Sequence, residues 1–480
     1  MQDRALPNSE DGTLVERVMA VVNQRIAGRT LAPGAKLPSL RSFAETMGVS
    51  KSTVVEAYDR LAAEGVIQAR RGSGFYVVGH APPFSVADLG PRLERAVDPF
   101  WVSRQSLDAG DGVLKPGCGW LPADWLPEDS MRRALRVLSR APAETLADYG
   151  TPLGLAPLRQ VLARRMALHG IEVGPDRIML TESGTQALDL VCRFLVEPGD
   201  TVLVDDPCYF NFHALLRAHR VRIVGVPYTQ NGPDTVQFEQ VLAEHRPRLY
   251  ITNSALHNPT GATLSPVVAH RVLKLADQFG LTIIEDDIFA DFELEPAPRL
   301  AAFDGLDRVV QIGSFSKSLS ASVRCGYIAA RRDWIEGLID LKIAASFGTG
   351  RLAAEMVLTI LRDGSYRKYM DGLRARLARA TSETSARLKA MGIQPWIEPR
   401  GGMFLWCVLP EGLDSSVIAR QLLAEDIVLA PGNVYSLSQS ASRFLRFNVA
   451  QSGDPRLFSA LGRAMASAAR RGAPAQIELA

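Results

Sequence analysis

The residues that most clearly suggest chemistry lie between positions 314 and 326. Ser314 and Ser316 stand beside Lys317, and Arg324 follows seven residues after the lysine. A lysine that forms a Schiff base with an aldehyde needs a desolvated pocket, which lowers its pKa and leaves the amine nucleophilic. If the aldehyde carries a phosphate, neighbouring hydroxyls and an arginine can bind the phosphate oxygens. If the segment stood alone, a surface lysine in a polar loop would be the simpler interpretation. Other residues of the chain are needed to distinguish this from a Schiff-base lysine.

A second candidate phosphate site lies upstream of the lysine. Ser183, Gly184 and Thr185 follow an apolar run that ends at residue 180, and they open a predicted helix. Backbone N–H groups at a helix N-terminus, together with the helix dipole and the threonine hydroxyl, can hold a phosphate. An ordinary capped helix is the alternative interpretation.

Two further segments offer groups that suit a flat ring. Tyr209 ends the segment Asp-Pro-Cys-Tyr and provides an aromatic surface for stacking, although a core tyrosine would look the same. Asn258 opens the segment Asn-Pro-Thr-Gly, and an asparagine held on a rigid turn can donate to a phenolate oxygen. An ordinary Asn-Pro turn is the alternative for Asn258.

Acidic and basic side chains complete the candidate set. A carboxylate at the end of a buried strand, facing a pyridine nitrogen, would keep that nitrogen protonated and make the ring an electron sink. Asp286 is the candidate, with Glu285 and Asp287 beside it as alternatives. Arg446, in a predicted strand near the C-terminus, can bind the carboxylate of an amino acid, unless it is a surface arginine.

The elements that must position these residues are short runs rich in β-branched residues, most of them separated by stretches of helix length. The runs occupy 177–180, 201–206, 222–228, 248–253, 281–287, 308–316 and 325–330. This alternation predicts a mainly parallel sheet covered on both faces. Ligands of such sheets bind at the carboxyl ends of the strands, where the candidate residues between 183 and 324 occur.

The first 80 residues have a different pattern. Helices are predicted over 13–28 and 40–47, and a third helix is capped by Ser50. Two short strands then flank a basic glycine turn at 70–74. Three helices and a hairpin are typical of a winged helix-turn-helix, whose recognition helix would begin at 50–53. A small helical bundle with a polar helix end is the alternative.

Charge and composition agree with this division. Residues 17–80 contain nine Lys and Arg against four Asp and Glu, whereas the whole chain has a net charge of only +2. A basic module on a nearly neutral body suggests a nucleic-acid partner. Five scattered cysteines predict reduced thiols in the cytoplasm and no disulfide or metal site. No apolar run is long enough to span a bilayer, so we expect no membrane association.

At 480 residues the chain is expected to contain two or three domains. We predict a DNA-binding domain over 11–80 and a proline-rich linker over 81–110. The remaining residues, 111–480, would form an α/β body. Its large domain would cover about 145–340, and the flanking segments would form a small domain.

The stretch from Leu31 to Val77 resembles the GntR-family DNA-binding domain over its whole length. In that family the arginine of Pro-Ser-x-Arg, the residues that open the third helix and the tip of the wing contact DNA. The resemblance therefore implies DNA contacts from Arg41, from Ser50, Lys51 and Ser52, and from Arg71 and Gly72.

Residues 110–475 resemble the pyridoxal-phosphate-dependent aminotransferases of fold type I. The resemblance implies that Lys317 forms the Schiff base, that Asp286 pairs with the pyridine nitrogen, that Asn258 contacts the ring oxygen and that Tyr209 stacks on the ring. It also implies a substrate-carboxylate site at Arg446 and a contact from Tyr149 to the cofactor of a neighbouring subunit. The implied cofactor phosphate ligands are Ser183, Gly184, Thr185, Ser314, Ser316 and Arg324.

One residue departs from the aminotransferase pattern. Three positions after the aspartate the family usually has a tyrosine that hydrogen-bonds the ring oxygen, and this chain has Phe289. Loss of that hydroxyl should raise the pKa of the Schiff base and weaken catalysis more than binding.

A GntR-like reader joined to an aminotransferase-like body resembles the MocR subfamily of bacterial regulators. The resemblance implies a homodimeric regulator that binds double-stranded operator DNA and pyridoxal 5'-phosphate. Its effector would be an amino acid, an amine or the cofactor itself, and it would have at most weak transaminase activity. The alternative is a working aminotransferase with an accessory DNA-binding module. A DNA-binding protein with an inactive cofactor fold conflicts with the presence of Lys317, Asp286 and Arg324.

Overall fold

The structure is a computed structural model that describes residues 13–27, 31, 34–70, 73–78, 99–108, 110 and 112–472. The chain divides into two units, residues 1–90 and 91–480. Within the described residues, no helix is both long and apolar enough to cross a membrane.

Helices occur in both units, and they alternate with strands along most of the second unit. The helices are α1 (Leu14–Ala27), α2 (Leu40–Met47), α3 (Lys51–Ala63), α4 (Pro99–Asp108), α5 (Glu128–Leu138), α6 (Ala143–Ala147), α7 (Ala156–Ala167), α8 (Gly184–Leu195), α9 (Phe210–Ala218), α10 (Thr235–His245), α11 (Pro266–Phe279), α12 (Leu300–Asp304), α13 (Arg332–Ser346), α14 (Arg351–Arg362), α15 (Ser365–Ala390), α16 (Ser415–Leu423) and α17 (Pro455–Gly472).

The strands among the described residues form three sheets. They are β1 (Ile67–Arg70), β2 (Gly74–Val77), β3 (Ile178–Thr181), β4 (Thr201–Asp206), β5 (Arg222–Thr229), β6 (Gly232–Pro233), β7 (Leu249–Thr252), β8 (Thr282–Asp286), β9 (Val309–Ser314), β10 (Gly326–Ala329), β11 (Gln394–Pro395), β12 (Phe404–Val408), β13 (Ala430–Pro431) and β14 (Phe444–Asn448).

Three helices and an antiparallel hairpin make up the described part of the first unit. Ser39 caps α2 by accepting from the N–H of Ser42, and Ser50 caps α3 by accepting from the N–H of Thr53. Gly48, at φ +62°, ends α2 in the left-handed conformation that suits glycine. Apolar side chains of the helices and the hairpin pack into one core: Val18, Val22, Leu37, Phe43, Val54, Tyr58, Leu61, Ile67 and Val77. The predicted winged helix-turn-helix is confirmed.

An eight-stranded sheet forms the centre of the second unit, in the order β3-β10-β9-β8-β7-β4-β5-β6. Strands β5, β4, β7, β8 and β9 are parallel, whereas β10 runs antiparallel to both of its neighbours and β6 runs antiparallel to β5. Two apolar clusters cover the sheet, one of which includes α7 and α11 and the other α8 and α9. The predicted mainly parallel α/β sheet, covered on both faces, is confirmed.

A smaller antiparallel sheet, in the order β11-β12-β14-β13, lies in the C-terminal part of the chain. Helix α15, which is 26 residues long, contacts β11 and β12 and precedes this sheet in the chain. The small sheet carries Arg446 on β14, opposite Trp406 on β12. A large sheet followed by a smaller one suits the large and small domains that the resemblance implies.

The structure differs from the prediction of a linker over 81–110. Helix α4 occupies Pro99–Asp108, and its Val102 is only 2% exposed. Val102 packs in a cluster with Phe210, Trp406 and Tyr435, so apolar burial fixes this segment on the second unit. The earlier part of the predicted linker, 81–98, lies outside the described residues.

Candidate functional site

A cavity of about 180 Å³ lies where β4, β7, β8 and β9 end. One water molecule requires roughly 10–15 Å³ by the same kind of measure, so the cavity has room for a small organic ligand. All the predicted cofactor and substrate residues except Tyr149 line it: Ser183, Gly184, Thr185, Tyr209, Asn258, Asp286, Ser314, Ser316, Lys317, Arg324 and Arg446.

The amine of Lys317 is held inside this cavity. Its Nζ donates to the carbonyl oxygen of Gly119 at 2.7 Å. Burial lowers the pKa of Lys317 to about 8, and the positive charge of Arg446 adds to the shift. A larger fraction of the amine is therefore neutral near pH 7 than for an ordinary lysine, which is the form that attacks an aldehyde.

Hydroxyl and N–H donors meet at one side of the cavity. Ser183 caps α8, and the next residue, Gly184, begins that helix. A Cβ atom at Gly184 would come within 3.3 Å of Ile288 and 3.5 Å of Ser314, so glycine keeps this side open. The hydroxyl of Ser314 lies 3.0 Å from that of Ser316. The exposed Arg324 brings a positive charge to the same cavity. Such a set suits a phosphate.

Three successive acidic residues at the end of β8 have different surroundings. Glu285 accepts from the N–H groups of Leu300 and Ala301, both at 2.8 Å. Asp287 pairs with the buried Arg299 at 2.9 Å. Of the three carboxylates, Asp286 lines the cavity.

The carboxyl group of Asp286 is placed to interact with a positive group bound in the cavity. Its Oδ1 accepts from the N–H of Ile288 at 3.2 Å. Burial raises its pKa to about 7, and repulsion from Asp287 contributes to the shift. A positive group bound in the cavity would favour its ionised form, because opposite charges stabilise each other in a buried site.

Arg446 and Asn258 are positioned by each other. The Nη1 of Arg446 donates to the Oδ1 of Asn258 at 2.7 Å, and its Nη2 donates to the carbonyl of Gly117 at 2.8 Å. This leaves the amide NH₂ of Asn258 for a ligand. The guanidinium also lies over the rings of Phe404 and Tyr435, at 4.1 and 4.9 Å. Arg446 is 2% exposed, and its Nε has no hydrogen-bond partner among the described residues, as expected of a group that binds an anion.

Aromatic rings line the remaining wall. Tyr209 packs against Phe210 and Phe212, with ring centroids 5.0 and 5.6 Å apart. Phe289 is 2% exposed and lies edge-on to Phe404 at 5.6 Å. No hydroxyl can reach the cavity from position 289, so the departure noted in the sequence lies in the site itself.

Tyr149 is the predicted cofactor residue that lies apart. It is 86% exposed and contacts Phe347, whose ring centroid is 5.8 Å away. The resemblance implies a contact from this tyrosine to the cofactor of a neighbouring subunit, and Tyr149 does not line the cavity of its own chain.

Among the cavity residues missed from the sequence, two groups lie before position 121. One is the segment 117–120, whose glycines bring the backbone close to Lys317: a Cβ atom at Gly119 would lie 3.6 Å from its Nζ. The glycine-rich spacing of 117–119 was a signal for this segment. The other group, Val102, Ser103 and Ser106, belongs to α4, for which the sequence has no comparable signal.

The predicted DNA-contact residues lie in the first unit. Lys51 and Ser52 are exposed at the start of α3 and line a shallow surface groove. Ser50 is occupied as the helix cap, with its Oγ 3.1 Å from the N–H of Thr53. Arg41, on α2, is exposed and pairs with Glu45 at 3.3 Å. Arg71 and Gly72, the predicted wing tip, lie outside the described residues.

The residues present fit a flat, phosphate-bearing aldehyde. An amine with a lowered pKa, a buried carboxylate with a raised pKa and an unpartnered guanidinium atom converge on one cavity. Glycines at 119 and 184 leave space where a side chain would intrude. Buried charges of both signs around one cavity are typical of a ligand-binding site.

Comparison with known proteins agrees with the fold and the cavity. Residues 123–462 match the family Aminotransferase class I and II, and residues 14–77 match Bacterial regulatory proteins, gntR family. The chain is similar to the uncharacterised HTH-type transcriptional regulator YdcR of Escherichia coli, with 32% identity over 89% of this chain and 93% of that protein. It is also similar to the HTH-type transcriptional regulator NorG of Staphylococcus aureus, with 26% identity over 85% and 94%.

Solved aminotransferase structures share the fold of the second unit. LysN, an α-aminoadipate aminotransferase of Thermus thermophilus complexed with N-(5'-phosphopyridoxyl)-L-leucine, has a TM-score of 0.69 and 26% identity, covering 76% of this chain and 95% of LysN. An archaeal alanine:glyoxylate aminotransferase has the same TM-score and identity, covering 77% and 93%. The chain therefore belongs to the aminotransferase class I and II family, as a MocR-type HTH transcriptional regulator in which a gntR-family domain precedes the aminotransferase domain.

Proposed function

We propose that this protein is a pyridoxal 5'-phosphate-dependent transcriptional regulator that senses an amino acid or amine in its aminotransferase-like domain. The observation that carries the proposal is the cavity around Lys317 in a chain that also has a gntR-family domain. The proposed domains are 11–80 for DNA binding and, because α4 packs on the second unit, 99–480 for effector binding. We place the protein in the cytoplasm, where a regulator of bacterial genes meets its operator.

The cavity residues have distinct proposed roles. When bound, the cofactor supplies an electrophilic aldehyde and an electron-withdrawing ring. Lys317 would provide the amine that condenses with the aldehyde, with loss of water, and Asp286 would hold a proton on the ring nitrogen. Asn258 would donate to the ring oxygen, and Tyr209 would pack against the ring face. Phosphate oxygens would be bound by Ser183, Gly184, Thr185, Ser314, Ser316 and Arg324.

The effector is expected to carry a carboxylate and an amine. Arg446 is buried, and its Nε has no hydrogen-bond partner among the described residues. A carboxylate would give this desolvated donor the hydrogen bond that it lacks. An amine on the same molecule would compete with Lys317 for the cofactor aldehyde. An amino acid satisfies both requirements, whereas a simple amine would satisfy only the second.

The regulator is favoured over an enzyme by position 289. The ring of Phe289 lines the cavity where the aminotransferase pattern has a hydroxyl, so that hydrogen bond to the ring oxygen cannot form. Ligand binding needs the carboxylate and amine sites that we propose at Arg446 and Lys317, and neither depends on a hydroxyl at position 289. The alternative, a working aminotransferase with an accessory DNA-binding module, is supported by the otherwise complete set of cavity residues.

We also propose a homodimer formed through the face that carries Tyr149. Phe347, which contacts this tyrosine, is 69% exposed and has a φ of +59°, an unfavourable conformation for a phenylalanine. The nearby Leu146 and Leu352, on α6 and α14, are 51% and 45% exposed. A cluster of exposed apolar side chains is typical of a surface that another chain covers. The same face would carry Tyr149 towards a second subunit's cofactor.

In a dimer, two winged helices would read repeated half-sites in the operator. Arg41, Ser50, Lys51, Ser52, Arg71 and Gly72 are the proposed DNA contacts. Ser50 is expected to contribute through its backbone or by orienting Ser52, since its hydroxyl lies 2.8 Å from the Ser52 hydroxyl and caps α3.

Spectroscopy of the purified protein tests the cofactor assignment. We expect visible absorbance, and borohydride reduction should fix the cofactor on the peptide that contains Lys317. The variant Lys317→Ala should lose this covalent adduct. Lys342→Met is the matched control because Lys342 is a second buried lysine with a pKa lowered to about 8, and it should keep the adduct. Full visible absorbance in Lys317→Ala would refute the assignment.

Sequencing the genomic fragments that the purified protein retains tests the regulatory part. Fragments should be enriched for repeated half-sites, and the enrichment should change when amino acids are added. Retention of random sequence would contradict an operator-reading role while leaving the cofactor assignment intact.

A further inference from the structure

Helix α4 forms one wall of the cofactor cavity. Val102, Ser103 and Ser106 on this helix line the same space as Lys317 and Arg446. Val102 anchors the helix, because its side chain packs against Phe210 of α9 and against residues of the small sheet. The serines are therefore held at the cavity by apolar packing of their own helix.

The hydroxyl of Ser106 lacks a partner. Ser106 is 1% exposed, and its Oγ makes no hydrogen bond within the described residues. A buried hydroxyl without a partner is unfavourable, and such groups are rare in folded proteins. Because Ser106 borders the cavity, a ligand in the cavity is the natural source of the missing hydrogen bond.

We propose that Ser106, with Ser103 beside it, determines effector specificity by hydrogen bonding a polar group on the side chain of the bound amino acid. This inference rests on the proposed effector role of the cavity and names the ligand class more narrowly. Arg446 binds the carboxylate and Lys317 faces the amine, so neither is available for the side chain. A short side chain that ends in a hydroxyl or an amide satisfies Ser106, and a purely apolar side chain leaves it unpaired.

The place of α4 in the chain gives this contact a second consequence. Of the elements that line the cavity, α4 is the nearest in sequence to the gntR-family domain, which ends at residue 77. A ligand that bonds Ser106 therefore acts on the helix through which the chain enters the effector domain. We expect polar amino acids to change DNA affinity more than apolar ones of the same shape.

The test uses pairs of amino acids that match in shape but differ in polarity. Threonine and valine form one pair, and asparagine and leucine form the other. Affinity for each is measured on the cofactor-loaded protein from the change in visible absorbance. The parent should prefer the polar member of each pair, and Ser106→Ala should reduce that preference by about threefold to tenfold, the effect of losing one hydrogen bond.

Two controls separate specificity from stability. Leu107→Ala alters the next residue on the same helix, which is 72% exposed, and it should keep the parent's preference. Cofactor affinity should be the same in the parent, Ser106→Ala and Leu107→Ala. In the parent, threonine should also shift the affinity for a retained DNA fragment more than valine does, and Ser106→Ala should reduce this difference.

The possible results are distinct. If Ser106→Ala kept the parent's preference for the polar amino acid of each pair, the inference would be overturned. Weaker cofactor binding in Ser106→Ala, with that preference unchanged, would also overturn it, because Ser106 would then contact the cofactor and not the effector. Absence of any spectral change with all four amino acids would also overturn it. A parent that lacks visible absorbance or retains no DNA would instead count against the proposed function.

Discussion

Lys342 offers a sharp test of how a buried charge affects the stability of this protein. This lysine lies on α13 and is fully buried. Its Nζ donates to the carbonyls of Pro152 and Leu180, at 2.6 and 2.8 Å. It therefore ties the segment after Tyr149 to strand β3, which leads into Ser183.

The effect of Lys342 on the free energy of unfolding follows from its pKa. Burial lowers the pKa from 10.5 to about 8. Each pKa unit corresponds to about 1.4 kcal/mol, so burying the charged amine costs about 3 kcal/mol at neutral pH. Below pH 8 both the folded and unfolded proteins hold the proton, and the full cost is present. Between pH 8 and 10.5 the unfolded protein binds the extra proton, so the contribution of Lys342 to stability improves as pH rises, by about 2 kcal/mol from pH 7 to 9.5.

The perturbation is Lys342→Met, which removes the charge and keeps an unbranched side chain. The free energy of unfolding of parent and variant is measured with denaturant at pH 7 and at pH 9.5. We expect the parent to gain about 2 kcal/mol relative to the variant at the higher pH. The exposed Lys274→Met is the control and should show no such gain. An equal difference in unfolding free energy between parent and Lys342→Met at both pH values would show that burial does not lower the pKa of Lys342.

The remaining predictions concern DNA, turnover and the ligand carboxylate. If Lys51 and Arg41 each contact a phosphate, replacing either with Ala should lower the slope of log DNA affinity against log salt concentration by about one. The control Arg379→Ala, which changes an exposed residue of the second unit, should leave the slope unchanged. An unaltered slope in both DNA-domain variants would rule out these contacts. Transamination by the parent should stay below the usual enzyme range of roughly 1–10³ s⁻¹, and Phe289→Tyr should increase it; a parental kcat within that range would favour the enzyme alternative. Arg446→Met should weaken binding of an amino acid by about 10- to 100-fold, because a charge-assisted hydrogen bond contributes about 1.5–3 kcal/mol. It should leave binding of the matching decarboxylated amine unchanged, and equal losses for both ligands would contradict a carboxylate site.

Much of the fold and cavity could be predicted from the sequence because both depend on local patterns. The seven apolar runs became strands of one sheet, and β4, β7, β8 and β9 end at the same edge. Residues far apart in the chain, such as Tyr209 and Ser314, therefore line one cavity, and this follows from the strand pattern alone. Capping serines and glycine turns likewise defined the first three helices.

What could not be predicted depends on tertiary partners. The segment 99–108 has a proline at its start and no strong apolar periodicity, and Val102 is buried only because α9 and the small sheet supply its neighbours. A lysine within a helix is ordinarily exposed, so nothing in the sequence distinguished Lys342. The bond between Arg446 and Asn258 joins residues 188 positions apart and requires the small sheet to face the end of β7.

We propose that the site around Lys317 controls DNA binding. The most direct measurement is the affinity of the cofactor-loaded parent and of Lys317→Ala for the same retained DNA fragment, by fluorescence anisotropy, with and without the amino acid that alters the visible spectrum. We predict that the amino acid changes the Kd of the parent for DNA by about fivefold or more, the usual scale of coupling between two sites, and leaves that of Lys317→Ala unchanged. An equal change in both proteins would contradict the account, because the effector would then act without this lysine.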